Sequence, residues 1–115
     1  MRVIASIRDQ GQKHRPPLLF FVIHGAPHRR MHHKMIQQYR EEIRKACDAA
    51  GIHTPIDTTV DLAVHFIDPC SPDYDNLLTA LYQAMDGKTL KSPGILTDDS
   101  LIGTIRELSK FTTVA

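Results

Sequence analysis

Asp73 and Asp75 stand two residues apart in the stretch Asp68-Pro-Cys-Ser-Pro-Asp-Tyr-Asp-Asn76, and a second acidic pair, Asp98-Asp99, follows further along the chain. In extended chain this spacing points both carboxylates to one side, whereas a helix would splay them. Pro69 and Pro72 each disfavour helix in the residue before them, so the approach to the acids is expected to be extended or turned. Asp75 or Asn76 is then expected to cap a helix, because the run Asn76–Met85 is strongly helical. Carboxylates crowded on an exposed turn repel one another, and a hard divalent cation relieves that repulsion. Mg²⁺ needs only a few of them, completed by waters and a substrate phosphate. One reading is therefore a Mg²⁺ site for phosphodiester hydrolysis. The other is a surface turn whose Asp, Pro, Ser and Asn residues serve the turn and the helix caps after it. Spacing alone leaves both open.

The elements that must position these acids follow from periodicity. Leu18 to His24 is a continuous run of strand formers stopped by Gly25 and Pro27, which predicts a buried strand. From about Lys34 to Ala50, Met35, Tyr39, Ile43, Ala46, Cys47 and Ala50 recur every three or four residues, which predicts a helix ended by Gly51. Glu41 and Glu42 face Lys45 and neighbouring Arg residues as a solvated surface. Thr58 to Ile67 alternates, with Val60, Leu62, Val64 and Phe66 on one face and Asp61, Ala63 and His65 on the other: a half-buried strand. The helix after the acidic turn buries Leu77, Leu78, Leu81, Ala84 and Met85. Ile95 to Asp99 is expected as a turn or short strand, and Leu101 to Leu108 as a final strand. Alternating strands and helices predict an α/β (α+β) fold, a mixed β-sheet with two α-helices packed on it. Met1 to Ile7 alternates weakly and could form an edge strand; Gly11, Pro16 and Pro17 make the following stretch a linker or loop.

A chain of 115 residues with 42% hydrophobic and 23% charged residues suits one small globular domain. No apolar run is long enough to span a membrane, and Arg8, Asp9, Lys13 and Arg15 interrupt any signal-peptide pattern. Cys47 and Cys70 lack paired-ligand spacing, so neither a disulfide framework nor a zinc knuckle is expected. Cys47 is placed on a buried helix face and Cys70 in the acidic turn, in a cytoplasmic protein.

The net charge of +1 hides an asymmetry. Residues 1–34 hold seven Lys/Arg against one acid, with five histidines besides; residues 35–100 hold five Lys/Arg against eleven acids. A basic N-terminal third beside an acidic middle suits a nuclease, with cations on the phosphate backbone and carboxylates on metal. Within the basic third, residues 8–17 read as a solvated tail. His28 to Lys34 reads as a basic loop in which Arg29, Arg30 and Lys34 contact phosphate. His28 and His32 have i, i+4 spacing but no Glu or third ligand, so a zinc site is not expected. Lys88 and Lys91 lie in a second, DNA-facing basic loop.

Ser71-Pro-Asp-Tyr-Asp-Asn-Leu77, the helix ending Ala84-Met-Asp-Gly87, and Gly94-Ile-Leu-Thr-Asp-Asp-Ser100 together resemble the signature of RusA-type Holliday-junction resolvases. That family carries Asp-x-Asp-Asn-Leu at a helix start and an Asp-Asp turn after a short, variable loop. Phe20-Phe-Val-Ile-His-Gly-Ala-Pro-His-Arg-Arg30 is similar to its opening strand, turn and basic loop. The resemblance runs from about Phe20 to Phe111. It implies a nuclease domain over residues 18–115, with residues 1–17 an N-terminal extension or edge strand. It also implies a mixed sheet, an intertwined homodimer and branched, four-way DNA as partner, in a bacterial, phage or prophage-encoded protein. Asp73, Asp75 and Asp99 would ligate Mg²⁺, with Mn²⁺ as a substitute and Asp98 as a fourth carboxylate or turn residue. Asn76 would cap the helix or hold a ligand in place. Two departures stand out. The family's Lys three residues after the Asn is Thr79 here, and its further helix Asp is Gln83. Lys110 or Arg106 is the expected replacement cation, Lys110 as a catalytic residue and Arg106 also on DNA. The competing reading is a structure-selective DNA-binding protein that kept the fold and weakened or lost catalysis.

Overall fold

A computed structural model describes residues 1–28, 33–87 and 93–113. Its elements are β1 (Arg2–Arg8), β2 (Leu18–His24), α1 (His33–Ala49), β3 (Val60–Ile67), α2 (Tyr74–Met85), a single 3₁₀ turn (Asp99–Leu101) and β4 (Ile102–Phe111). The strands form one sheet in the order β1-β2-β3-β4. β1 pairs antiparallel with β2, while β2, β3 and β4 run parallel. The expected mixed sheet with two helices is therefore present. A tight connection can join the antiparallel pair, but each parallel pair needs a crossover, and α1 and α2 supply them.

Both helices cover the same sheet face. Val3 and Ala5, Leu19, Phe21 and Ile23, and Val60, Leu62, Val64 and Phe66 point into a core closed by Ile36, Tyr39, Ile43 and Cys47 of α1 and Leu77, Leu81 and Met85 of α2. Fully burying such a side chain stabilises the fold by roughly 1.5–3 kcal/mol. β3 is more buried than its alternation predicts: Asp61 and Ala63, on the face away from the helices, are 1% and 0% exposed. The strand is internal, flanked by β2 and β4, and the connection from β1 to β2 lies over Asp61. Residues 11–15 of that connection are solvated, as expected for the basic stretch 8–17, but the loop is anchored to the sheet at Gln10. Gln10 Nε2 donates to Pro16 O and to Asp61 Oδ2, both at 2.7 Å, and ties the loop down.

The start of α2 also differs from expectation. Asp73, not Asp75 or Asn76, is the N-cap, and its Oδ1 accepts from Asp75 N at 2.9 Å. The helix thus begins one turn-position earlier, at Tyr74, because Asp73 already has the extended backbone and free carboxylate that a cap needs. Among the described residues, no helix is long and apolar enough to cross a membrane.

Candidate functional site

One face of α2 carries its polar side chains. Asp75, Thr79, Tyr82, Gln83 and Asp86 fall at i, i+4, i+7, i+8 and i+11, which a 3.6-residue period gathers on one stripe. Leu77, Ala80, Leu81, Ala84 and Met85 occupy the buried side. The Asp98-Asp99 turn is folded against the C-terminal half of that stripe. Its delivery begins where Ile95 N and Leu96 N both donate to Met85 O at 3.0 Å. Ile56 and Thr97 lock the same segment from the other side, with Ile56 N donating to Ile95 O and Thr97 N to Ile56 O. Gly94 packs directly on Gly87; a Cβ at Gly94 would fall 2.5 Å from the Gly87 backbone. Only glycine permits that approach, and it brings Asp86 and Asp98 together.

The result is a group of three carboxylates, Asp86, Asp98 and Asp99, with one oxygen of each lying within 4.8 Å of the others. It is the one such group of three potential ligands among the described residues. Asp86 is only 8% exposed. Asp98 is half-buried and accepts from Ser100 N at 3.1 Å, which fixes the turn. Thr79, Tyr82, Gln83, Asp86 and Asp99 line an open cleft of about 250 Å³. Burial, with the Asp99 carboxylate adding to it, pushes the Tyr82 hydroxyl above its ordinary pKa, so it stays protonated and can donate. The donor set fits a hard divalent cation. It is all carboxylate oxygen, the ligand type that Mg²⁺ takes.

The backbone behind the group is held by Arg40. This α1 residue is fully buried, and its guanidinium donates to the carbonyls of Ala84 at 2.7 Å, Gln83 at 3.2 Å and Asp86. Those carbonyls end α2 and have no partners within the helix. Burial, then Arg44, lowers the Arg40 pKa, while Asp86 and Glu41 act the other way.

The structure does not assemble the expected Asp73, Asp75, Asp98 and Asp99 set around one point. Asp86 lies eleven residues beyond Asp75, roughly 16 Å along the helix axis. Asp73 and Asp75 sit at the opposite end of α2 from the three-carboxylate group. Asn76 donates to Ser71 Oγ at 3.4 Å, and Asp73 N to the same oxygen at 3.2 Å, so both brace the turn. Asp68 has a left-handed φ of 46° and accepts from Thr113 N and Thr113 Oγ1, at 2.7 and 2.6 Å. These bonds hold its carboxyl below the usual range and fasten the chain after β4.

Lys110 stands with Asp73 rather than with Asp99. Its Nζ donates to Pro72 O and lies 4.4 Å from the centroid of the Tyr74 ring. Along β4 it is about 26 Å from Ile102, which separates it from the Asp98-Asp99 turn. Arg106 has a structural partner, its Nε donating to Asp61 Oδ2 at 2.9 Å. Lys34 is exposed in the first turn of α1. Arg29, Arg30, Lys88 and Lys91, the other expected DNA contacts, lie outside the described residues, as does His32. Sequence reasoning missed Asp86, Tyr82 and Arg40, although Asp86 shares the stripe of Asp75 three turns on. No protein-family model, curated protein or solved structure matches the chain.

Proposed function

We propose that this chain is a Mg²⁺-dependent endodeoxyribonuclease selective for four-way DNA junctions, acting as a homodimer in the cytoplasm of a bacterial or phage-infected cell. The observation that carries the reading is the gathering of Asp86, Asp98 and Asp99 at the C-terminal end of α2, beside an open polar cleft. The sequence resemblance to RusA-type resolvases supplies the substrate class. Asp86, Asp98 and Asp99 would hold the metal, Mg²⁺ or Mn²⁺. A bound ion would supply Lewis acidity there, to a water and to the scissile phosphate. Tyr82 offers a protonated hydroxyl to a phosphate oxygen, and Thr79 and Gln83 offer neutral hydrogen bonds along the same wall. Asp73 caps α2 and Asp75 occupies the N-terminal end of the polar stripe.

The dimer fits the symmetry of a four-way junction, on which a two-fold assembly can place two identical sites. The sheet face away from the helices leaves Ile4 and Phe111 about half exposed, which offers apolar area for association.

A second reading, a junction-binding protein with weakened or lost catalysis, has its own support. Thr79 and Gln83 line the cleft where the resemblance implies a cation and a further acid. The experiment that tests both is cleavage of a synthetic four-way junction beside linear duplex, with Mg²⁺ and with chelator. Junction-selective, metal-dependent cuts support the nuclease; binding with no cuts at any metal concentration supports the second reading and refutes the first.

A further inference from the structure

The loop between β1 and β2 lies outside the stretch that resembles a nuclease, yet it is held in place by a buried charge. Asp61 Oδ1 accepts from Thr104 N at 2.9 Å, and Oδ2 accepts from Gln10 Nε2 and Arg106 Nε. Burial raises the Asp61 pKa, but these three donors outweigh it and leave the carboxyl below its ordinary value, so it is ionised at neutral pH. Gln10 is therefore pegged by an anion that cannot leave, and its second bond, to Pro16 O, closes the far side of the loop. Asp9 Oδ1 accepts from Gly11 N at 2.9 Å and turns the chain, with Gly11 at a φ of 74°.

This construction sets two guanidinium groups on shared ground. Arg8 and Arg15 both line a cavity of about 360 Å³ completed by Ile7, Asp9 and Pro17. Both also line a second, of about 440 Å³, with Asp9, Gln10, Gly11 and Leu18. Among the described residues neither Arg8 nor Arg15 is in an ion pair. Asp9 is the one acid in the lining, and it is turned toward Gly11 N. Lys13, also exposed, extends the positive surface along the loop. Two arginine forks over a pre-formed hollow match the planar, bidentate demands of a phosphate group better than point charges would.

The loop also lies at a telling place in the sheet. Arg8 pairs with Leu18 and Leu18 with Asp61, while Val60 pairs with Ile102. The loop and the Asp98-Asp99 turn before β4 are thus at the same strand ends, about three strand spacings or 14 Å apart.

We propose that Arg8 and Arg15 form a phosphate-binding site on the β1–β2 loop, used to grip the backbone of a nucleic acid at a point separate from the acidic cleft. The nucleic-acid part rests on the proposed function; the phosphate site itself does not. The test measures two probes on the full chain and on an Arg8→Ala/Arg15→Ala variant. The first probe is inorganic phosphate, followed by backbone amide shifts. The second is a four-way DNA junction, followed by anisotropy across a salt series. The expected results are phosphate-dependent shifts of residues 8–17 that the variant loses, and a log–log salt slope for DNA shallower by about two units. Both side chains are exposed, and unchanged melting of the variant confirms that folding is intact. Arg8→Lys/Arg15→Lys should restore the salt slope, because charge returns, while recovering little of the phosphate affinity, because the fork does not. Phosphate shifts lost in the variant, with no DNA binding by either protein, uphold the site with free phosphate as its ligand and overturn the nucleic-acid grip and the nuclease reading together. Wild-type DNA binding with an unchanged slope in the variant overturns the nucleic-acid grip. Absence of phosphate shifts at residues 8–17 overturns the site.

Discussion

Replacing Arg40 by Met should remove a large part of this protein's stability while preserving side-chain bulk. Arg40 reaches from α1 to the end of α2 and donates to three carbonyls, those of Gln83, Ala84 and Asp86. Two of these bonds are buried and the third is partly so. A buried carbonyl stripped of its donor costs about 1–3 kcal/mol. Losing a cation at a helix C-terminus costs up to about 2 kcal/mol more in a buried setting. The guanidinium is itself expensive to desolvate, and Met removes that cost, so the terms do not simply add. The expected net loss is about 3–5 kcal/mol, dominated by the carbonyls left without donors. Against a typical total of about 5–15 kcal/mol, the variant would be marginal or unfolded. Arg40→Lys keeps a charge but loses the fork, and should fall between the two. Urea denaturation followed by circular dichroism reads the change as a shift in midpoint at constant m. A loss under about 1 kcal/mol for Arg40→Met would mean that water caps those carbonyls, and that Arg40 does not hold Asp86 in place.

Three further outcomes are expected. Asp99→Asn should abolish Mg²⁺-dependent junction cleavage and leave junction binding intact, whereas Asp73→Asn should leave stability unchanged because Asn caps helices as well as Asp does; wild-type cleavage by Asp99→Asn would remove the metal assignment. Asp61, whose folded pKa is depressed below the unfolded value of about 3.9, should contribute stability that is present above pH ~4 and lost as pH falls through the folded value. Asp61→Asn should flatten that acid limb in urea titrations from pH 7 to 3, and an unaltered limb would show that other carboxylates carry it. Cys70 is exposed, while Cys47 is fully buried with its thiol pushed up to about 11 by burial and by Asp48. Ellman titration at pH 8 should therefore count one fast thiol in the native protein and two in denaturant; two fast native thiols would contradict the packing of α1 on the sheet.

What could be read from the sequence was whatever burial imposes locally. The apolar run at β2, the three-to-four-residue recurrence in α1 and the alternation in β3 each report a face turned to the core, and the elements lie within a few residues of the expected bounds. The exposed pairs Glu41–Arg44 and Glu42–Lys45 also follow from spacing alone. Arg40 was hidden by its charge, although it sits in the buried stripe Ile36, Arg40, Ile43, Cys47. A buried arginine is stable only when another segment supplies acceptors, and those come from residues 43 to 46 positions away. The loop over Asp61 was unreadable for the same reason. Its Gly and Pro residues predict a loop, but the anchor is a carboxylate on a different strand. Asp86 was missed because Asp73 and Asp75 are closer together in sequence, while the structure groups acids by helix face and by the Gly87–Gly94 contact.

The acids at the two ends of α2 differ in what they require. Asp73 and Asp75 stand at the N-terminal pole, where the helix dipole is positive and unpaired amides accept a carboxylate; Asp73 already receives one, from Asp75 N. Asp86, Asp98 and Asp99 gather at the C-terminal pole, where the helix dipole is negative. Arg40 donates to the backbone carbonyls of Gln83, Ala84 and Asp86 at this end. Carboxylates this close repel one another, and a cation bound among them would relieve that repulsion. The polar stripe of α2 thus leads from an N-terminus capped by Asp73 to the end where Asp86, Asp98 and Asp99 gather, which is where the proposed function would seat its cation.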